Sequence, residues 1–274
     1  MHRPFFIRFV SLLIALLCMC MLVACNTGGG DTESAASGTP EGTSGEAQSS
    51  TAGSTGEESA ATVKKRVALT FDDGPQHYES RTKAIVDELS KYGFHATFFV
   101  VGNRVPGGDA LSYAVEKGCE IGIHGFTHEF YYDKCTDAQY RNEIEKTAQA
   151  IEKAVPGYNV RLMRPVGGRI SNERLAASPY SVIFWSVDSL DWEHRYASGD
   201  SDAVAEEKVN TIVDNVMNGL RDGDVILMHD IYESTYDATL VLLERLHAEG
   251  YEVVTVSELF GETLLPGKQY TRGN

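Results

Sequence analysis

From residue 64 onward, short apolar runs rich in β-branched residues alternate with longer stretches of helical periodicity, and this alternation restricts the fold more than any other feature of the chain. The runs predict strands at 66–71, 96–101, 120–123, 160–163, 180–187, 224–228 and 251–256. The stretches between them predict helices at 79–92, 109–117, 137–154, 203–220 and 235–249. In the third of these, Ile144, Ala148, Ile151 and Val155 recur at spacings of three and four, the stripe of a helix with one buried face. Strand–helix alternation over about 200 residues implies a mostly parallel sheet with covering helices, either an open doubly wound sheet or a (β/α) barrel. Both architectures place their sites at the carboxyl ends of the strands. The chain obeys that rule: Asp72 and Asp73, then His124, then Arg164, then Asp188 and Asp191, then His229 and Asp230 follow five of the predicted strands.

The first 62 residues follow different rules. His2, Arg3 and Arg8 precede an acid-free apolar run at 9–24, the layout of a secretory signal peptide and short for a membrane span. The run ends in Leu22-Val23-Ala24-Cys25, which resembles the lipobox of bacterial lipoproteins. That resemblance implies lipid on the Cys25 thiol, cleavage before it, and a chain anchored to the membrane by two or more acyl groups. An uncleaved signal anchor is the alternative, and either arrangement puts the domain outside the cytoplasm. Residues 26–62 are Gly, Ser, Thr, Ala and Glu without an aromatic or a basic side chain, a composition that buries too little apolar surface to fold. As a flexible linker it would span roughly 35 Å on average and about 125 Å at full stretch. The chain thus divides into a signal peptide at 1–24, a lipid-anchored linker at 25–62, a folded domain at 63–265 and a C-terminal tail at 266–274. A formal charge of −15 with no basic stripe argues against a nucleic-acid partner and favours neutral or cationic substrates.

Two motifs carry metal and acid–base chemistry. Asp72-Asp73-Gly74-Pro75 places neighbouring carboxylates where a strand breaks, the one way adjacent side chains can serve one site; read alone, it is equally good chemistry for a solvated turn. His124-Gly125-Phe126-Thr127-His128 carries two imidazoles four apart, a spacing that puts both on one face of a helical turn and within reach of one ion. Two His and one Asp leave a metal an open position for water, as catalytic zinc sites require, and the same triad describes non-haem Fe(II) oxygenases. A second acid beside the ligands and the distant His229 favour hydrolysis, which needs a general base and a general acid.

Thr70-Phe71-Asp72-Asp73-Gly74-Pro75, His124-Gly125-Phe126-Thr127-His128, Arg164-Pro165-Val166-Gly167-Gly168, Asp188-Ser189-Leu190-Asp191-Trp192 and Ile226-Leu227-Met228-His229-Asp230 resemble, in order, the five motifs of the polysaccharide deacetylases, carbohydrate esterase family 4 or NodB homology domain. The resemblance runs from about residue 66 to 260 and implies a distorted (β/α) barrel as a single catalytic domain. It implies that Asp72 is the general base, that Asp73, His124 and His128 hold one divalent ion, usually zinc, and that His229 is the general acid. It further implies that Arg164 keeps Asp72 ionised and that Asp191 orients His229. A backbone N–H near Gly167 would hold the oxyanion, with Trp192 and Leu227 as apolar walls or, equally, as barrel packing. The implied reaction is removal of acetyl from an N-acetylated glycan, with peptidoglycan N-acetylglucosamine foremost. Chitin oligomers, poly-N-acetylglucosamine and O-acetyl xylan are the alternatives in the family, and a non-catalytic glycan-binding lipoprotein is the alternative outside it.

The motifs depart from the family pattern at two places. Gly125 stands where many members have Ser or Thr, so a hydroxyl that would steady the metal loop is missing. Val166 and Gly167 replace the usual Pro and aromatic, which opens one wall of the groove. Cys119 and Cys135 flank the metal histidines and are read either as a disulfide or as free thiols.

Overall fold

The computed structural model describes residues 64–75, 81–105 and 108–273. The expected signal peptide, the lipidation candidate Cys25 and the expected linker lie outside the described residues. In chain order the elements are β1 (Lys65–Asp72), α1 (Arg81–Lys91), β2 (Thr97–Val100), α2 (Ala110–Glu116), β3 (Glu120–Ile123), α3 (Asp137–Ala154), β4 (Leu162–Met163), α4 (Asn172–Ala177), β5 (Ser181–Ile183), β6 (Val187–Asp188), α5 (Asp202–Met217), β7 (Val225–His229), α6 (Glu233–Ala248), β8 (Tyr251–Val254), α7 (Val256–Phe260) and β9 (Gln269–Tyr270). All strand pairs are parallel, in the order β6-β7-β1-β2-β3-β4-β5-β9, with β8 added to the first half of β1.

This sheet must curl. Laid flat, the six strand spacings from β6 to β5 would cover roughly 29 Å. Yet the four steps of chain from Ile183 to Val187 reach at most about 14 Å. The result is a curled half-barrel with covering helices, the distorted (β/α) barrel that the motifs imply.

Strand alternation decides what enters the barrel. Along β1, Val67, Leu69 and Phe71 face outward into the core under the helices, where they meet Ile85, Leu89, Leu242 and Leu246. Ala68 instead joins Phe99, Leu162, Ile183, Val225, Val256 and Phe260 in a second cluster that plugs the floor. The residues on that inner face run Ala68, Thr70, Asp72 on β1, and Val225, Leu227, His229 on β7. Each strand therefore begins apolar at the floor and ends polar at the rim.

Several predicted boundaries move. The 180–187 run splits into β5 and β6, because Phe184 to Ser186 carry the chain across the barrel. The last predicted strand stops at Val254, since Thr255 and Glu258 form a capping box that starts α7. Of the expected tail at 266–274, residues 266–273 belong to the folded body: β9 pairs with β5, and Arg272 bridges to Asp224 just ahead of β7. The cause is packing that a short Gly-flanked segment does not advertise, with the Tyr270 ring edge-on to Phe260 at 5.2 Å.

Candidate active site

Asp72 and Asp73 close β1 with the first on the inner face and the second beyond regular strand geometry. Asp73 has φ 77°, a left-handed conformation that turns its carboxylate back toward the same space as that of Asp72. The strand thus breaks at Asp73 itself, one residue before Gly74-Pro75. From β3 the chain enters a loop with Gly125 at φ 93° and His128 at φ 65°. The helical turn expected to pair the two imidazoles is absent; two left-handed residues double the chain back instead, and the rings lie 5.3 Å apart. Two of the three candidate ligands occupy strained backbone, a sign that the surrounding structure enforces the site.

The three ligands converge. Asp73 Oδ1 lies 3.0 Å from His128 Nε2 and 3.6 Å from His124 Nε2, and one donor atom from each residue lies within 4.8 Å of the others. The donor chemistry suits a divalent cation. Asp73 Oδ1 is buried with no hydrogen-bond partner, despite its closeness to His128, which leaves it free to ligate. His124 Nδ1 donates to the Arg164 carbonyl at 2.9 Å, so the lone pair sits on Nε2, facing Asp73. Burial pushes the pKa of His124 down against the pull of Asp72 and Asp73, and neutral imidazole is the form a metal requires. Burial alone would raise Asp73, but the contact with His128 and the charges of His124, His128 and His229 outweigh it, and the carboxyl stays well below its usual range.

On one flank, fully buried Arg164 donates through Nη1 to Asp72 Oδ1 and to Thr70 Oγ1, both at 2.8 Å. Its other nitrogens bond the Ile183 and Phe184 carbonyls, and Phe99 stacks on the guanidinium at 4.3 Å. Asp72 Oδ2 then points 3.6 Å from His124 Nε2. The other flank is His229, whose Cα pairs with that of Asp72 across β1 and β7. Its Nδ1 donates to Asp191 Oδ1 at 2.8 Å, and Asp191 Oδ2 accepts from His229 N and Thr235 Oγ1, both at 2.7 Å. Burial opposes the imidazolium, but the Asp191 bond and the nearby carboxylates win and lift His229 to about 9.

The remaining predicted residues divide. Leu227 is buried at the inner face, Gly167 is exposed, and Trp192 stands exposed beside Asp191. Asp188 turns inward to cap the Leu190 N–H at 2.9 Å, and Asp230 accepts from Thr82 on α1. Burial lifts Asp230 to about 7. The wall beside Gly167 is filled: a Cβ there would meet the Tyr131 ring at 3.0 Å, and Arg169, ion-paired to Asp133, stacks on that ring at 4.4 Å. Cys119 and Cys135 are free thiols.

One residue went unread. Glu143, on α3, is buried and accepts from the N–H groups of Phe126 and Thr127 and from the Thr127 hydroxyl, inside the loop between the two histidines. Its signal was an acid beside Ile144 and four before Thr147, on a stripe that is otherwise buried.

A parallel half-barrel with a His–His–Asp cluster at its rim defines an α/β protein with a candidate cation site. Residues 59–179 match the family Polysaccharide deacetylase. The peptidoglycan-N-acetylglucosamine deacetylase PgdA of Listeria monocytogenes is 36% identical over 213 residues, 77% of this chain and 42% of that protein. A peptidoglycan-N-acetylglucosamine deacetylase of Bacillus cereus is 33% identical over 205 residues, 72% of this chain and 88% of that one. Among solved structures, the peptidoglycan deacetylase PdaC from Bacillus subtilis matches with a TM-score of 0.62 at 37% identity, over 72% of this chain and 90% of that one. The chain belongs to the polysaccharide deacetylase family. It spans about two fifths of the length of the curated PgdA and PdaC proteins. The family is metal-dependent, and Asp73, His124 and His128 are where this chain can hold the ion.

Proposed function

We propose that the chain is a zinc-dependent deacetylase of peptidoglycan N-acetylglucosamine, releasing acetate and leaving a free amine on the glycan. The observation that carries this reading is the opposition of two differently anchored groups across one cation cluster: Asp72 held by a guanidinium, His229 held by a carboxylate. Such environments separate a base from an acid in one site. Asp73, His124 and His128 would hold a divalent ion, which would supply a water of lowered pKa and Lewis-acid polarisation of the acetyl carbonyl. Asp72 Oδ2, left free by Arg164, takes the proton of the attacking water. A backbone N–H near Gly167 would hold the oxyanion, and His229 Nε2 gives its proton to the departing sugar nitrogen. Leu227 closes on the acetyl methyl, while Trp192 and Tyr131 offer exposed rings to the sugars.

Peptidoglycan is favoured by the names of the relatives, two after its N-acetylglucosamine and one after its N-acetylmuramic acid. Lipidation at Cys25 and the linker would hold the domain outside the cytoplasm, tethered to the membrane within reach of a cell wall. The test is acetate and free-amine release from peptidoglycan, chitin and acetyl-xylan fragments, with and without chelator. Peptidoglycan is expected to react fastest, chelation to abolish release, and Asp72→Asn to lower kcat by roughly 10²–10⁴-fold. Near-wild-type activity in Asp72→Asn would remove the assigned base; no release from any fragment would overturn the function.

A further inference from the structure

The loop that carries His124 and His128 is held mainly by bonds to other elements. Its carbonyls are tied from below, where Gly102 N donates to Gly125 O at 2.8 Å and Asn103 N to Phe126 O at 3.0 Å. Its middle is tied from the side by Glu143: Oε2 accepts from Phe126 N at 2.7 Å and Thr127 N at 2.8 Å, and Oε1 accepts from Thr127 Oγ1 at 2.9 Å. Glu143 is 1% exposed, and no Lys, Arg or His among the described residues forms an ion pair with it. A carboxylate buried without a cation is costly, and three loop donors are its compensation.

Gly125 is the complement of this arrangement. A Cβ at position 125 would lie 2.8 Å from Tyr132 Oη and 3.1 Å from Glu143 Oε2, and φ 93° disfavours any side chain there. The carboxylate and the tyrosine hydroxyl therefore occupy the space into which a Ser or Thr at 125 would project.

We infer that Glu143 is the positioning residue of the metal loop, setting cation affinity by fixing the backbone between His124 and His128, and that Gly125 is required by it. This rests on the reading of Asp73, His124 and His128 as the cation site. Fixing residues behind metal ligands typically changes affinity by roughly 10–100-fold.

The experiment titrates metal-stripped full-length protein with Zn²⁺ by calorimetry and with Co²⁺ by visible absorption, in wild type, Glu143→Gln and Thr127→Val. Glu143→Gln keeps the volume but turns one acceptor into a donor facing loop N–H groups, and should weaken both ions by roughly 10–100-fold and alter the Co²⁺ band shape. Thr127→Val removes the hydroxyl that donates to Glu143 and accepts weakly from Glu129 N at 3.3 Å, leaves the two backbone donors of the loop in place, and should weaken both ions severalfold, which keeps the inference testable should Glu143→Gln not fold. Affinities within twofold of wild type in the folded variants would overturn it, whatever their melting temperatures do, since a merely structural role lowers stability of the metal-free protein and leaves affinity unchanged. Failure of wild type to bind either ion would instead overturn the cation site itself.

Discussion

Carboxylates are buried at both ends of the half-barrel, and the two ends treat them differently. At the floor, buried Asp224 accepts from Ser186 Oγ, Arg221 N and Arg272 Nε, and the half-buried Glu120 accepts from Thr97 Oγ1 and from Ser257 N and Oγ. Every oxygen there has a partner. At the rim, Asp73 Oδ1 and Asp230 Oδ1 are buried without one, and all three non-glycine residues with left-handed backbone among the described residues, Asp73, His128 and Leu190, lie there. Unsatisfied acids and backbone strain both lower stability, so a fold retains them where they serve chemistry. The floor holds the barrel together, and the rim spends part of that stability on its site.

The sharpest way to break this contrast is at the rim. Replacing the proposed acid, His229→Ala, should lower kcat on the preferred fragment by roughly 10²–10⁴-fold at neutral pH while leaving a cooperatively folded protein. Steady-state kinetics beside thermal unfolding decide it: unaltered kcat would remove His229 from the chemistry.

A second test moves one shell outward. His229 is raised to about 9 from an ordinary 6.5, so its ion pair with Asp191 stabilises the fold fully below about pH 6.5 and loses that contribution as pH rises through 9. Asp191→Asn removes it, by up to ~3 kcal/mol in the metal-free protein. Denaturant unfolding at pH 6 and pH 10 should show the larger destabilisation at pH 6. A difference independent of pH would mean that Asp191 serves packing alone.

How much of this was legible in the sequence follows the same division. The third predicted helix coincides with Asp137–Ala154, because its apolar stripe is a local signal, and the Thr136/Gln139 capping box that starts it is a feature the structure adds. β3 was likewise exact in extent, and the strand-end rule brought Asp72, Asp73, His124, Arg164, Asp191 and His229 to one rim. What escaped depends on contacts distant in the chain. Glu143 reaches back 16 and 17 residues to its loop, and Arg272 reaches 48 to Asp224. No periodicity encodes either. The Tyr131 ring against Gly167 is of the same kind, an aromatic supplied from another loop to a place the motif had left empty.

The floor supplies the smallest effect and the control for the rest. Arg272 donates through Nε to the fully buried Asp224, but its own side chain is 40% exposed, so solvent screens the pair. Its loss leaves Asp224 with Ser186 and the Arg221 N–H, two of three partners, and the Gly273 N–H still bonds the Gly223 carbonyl at 2.7 Å. Arg272→Ala should therefore cost about 1 kcal/mol of unfolding free energy, well short of the 3–5 kcal/mol expected when a buried charge loses its only partner. Neither kcat nor metal affinity should change, because Arg272 meets Asp224 just ahead of β7, at the opposite end of that strand from His229. If Arg272→Ala lowered kcat tenfold at a temperature where the protein stays folded, closure of the floor would be part of what shapes the rim, and the division of labour between the two ends would fail.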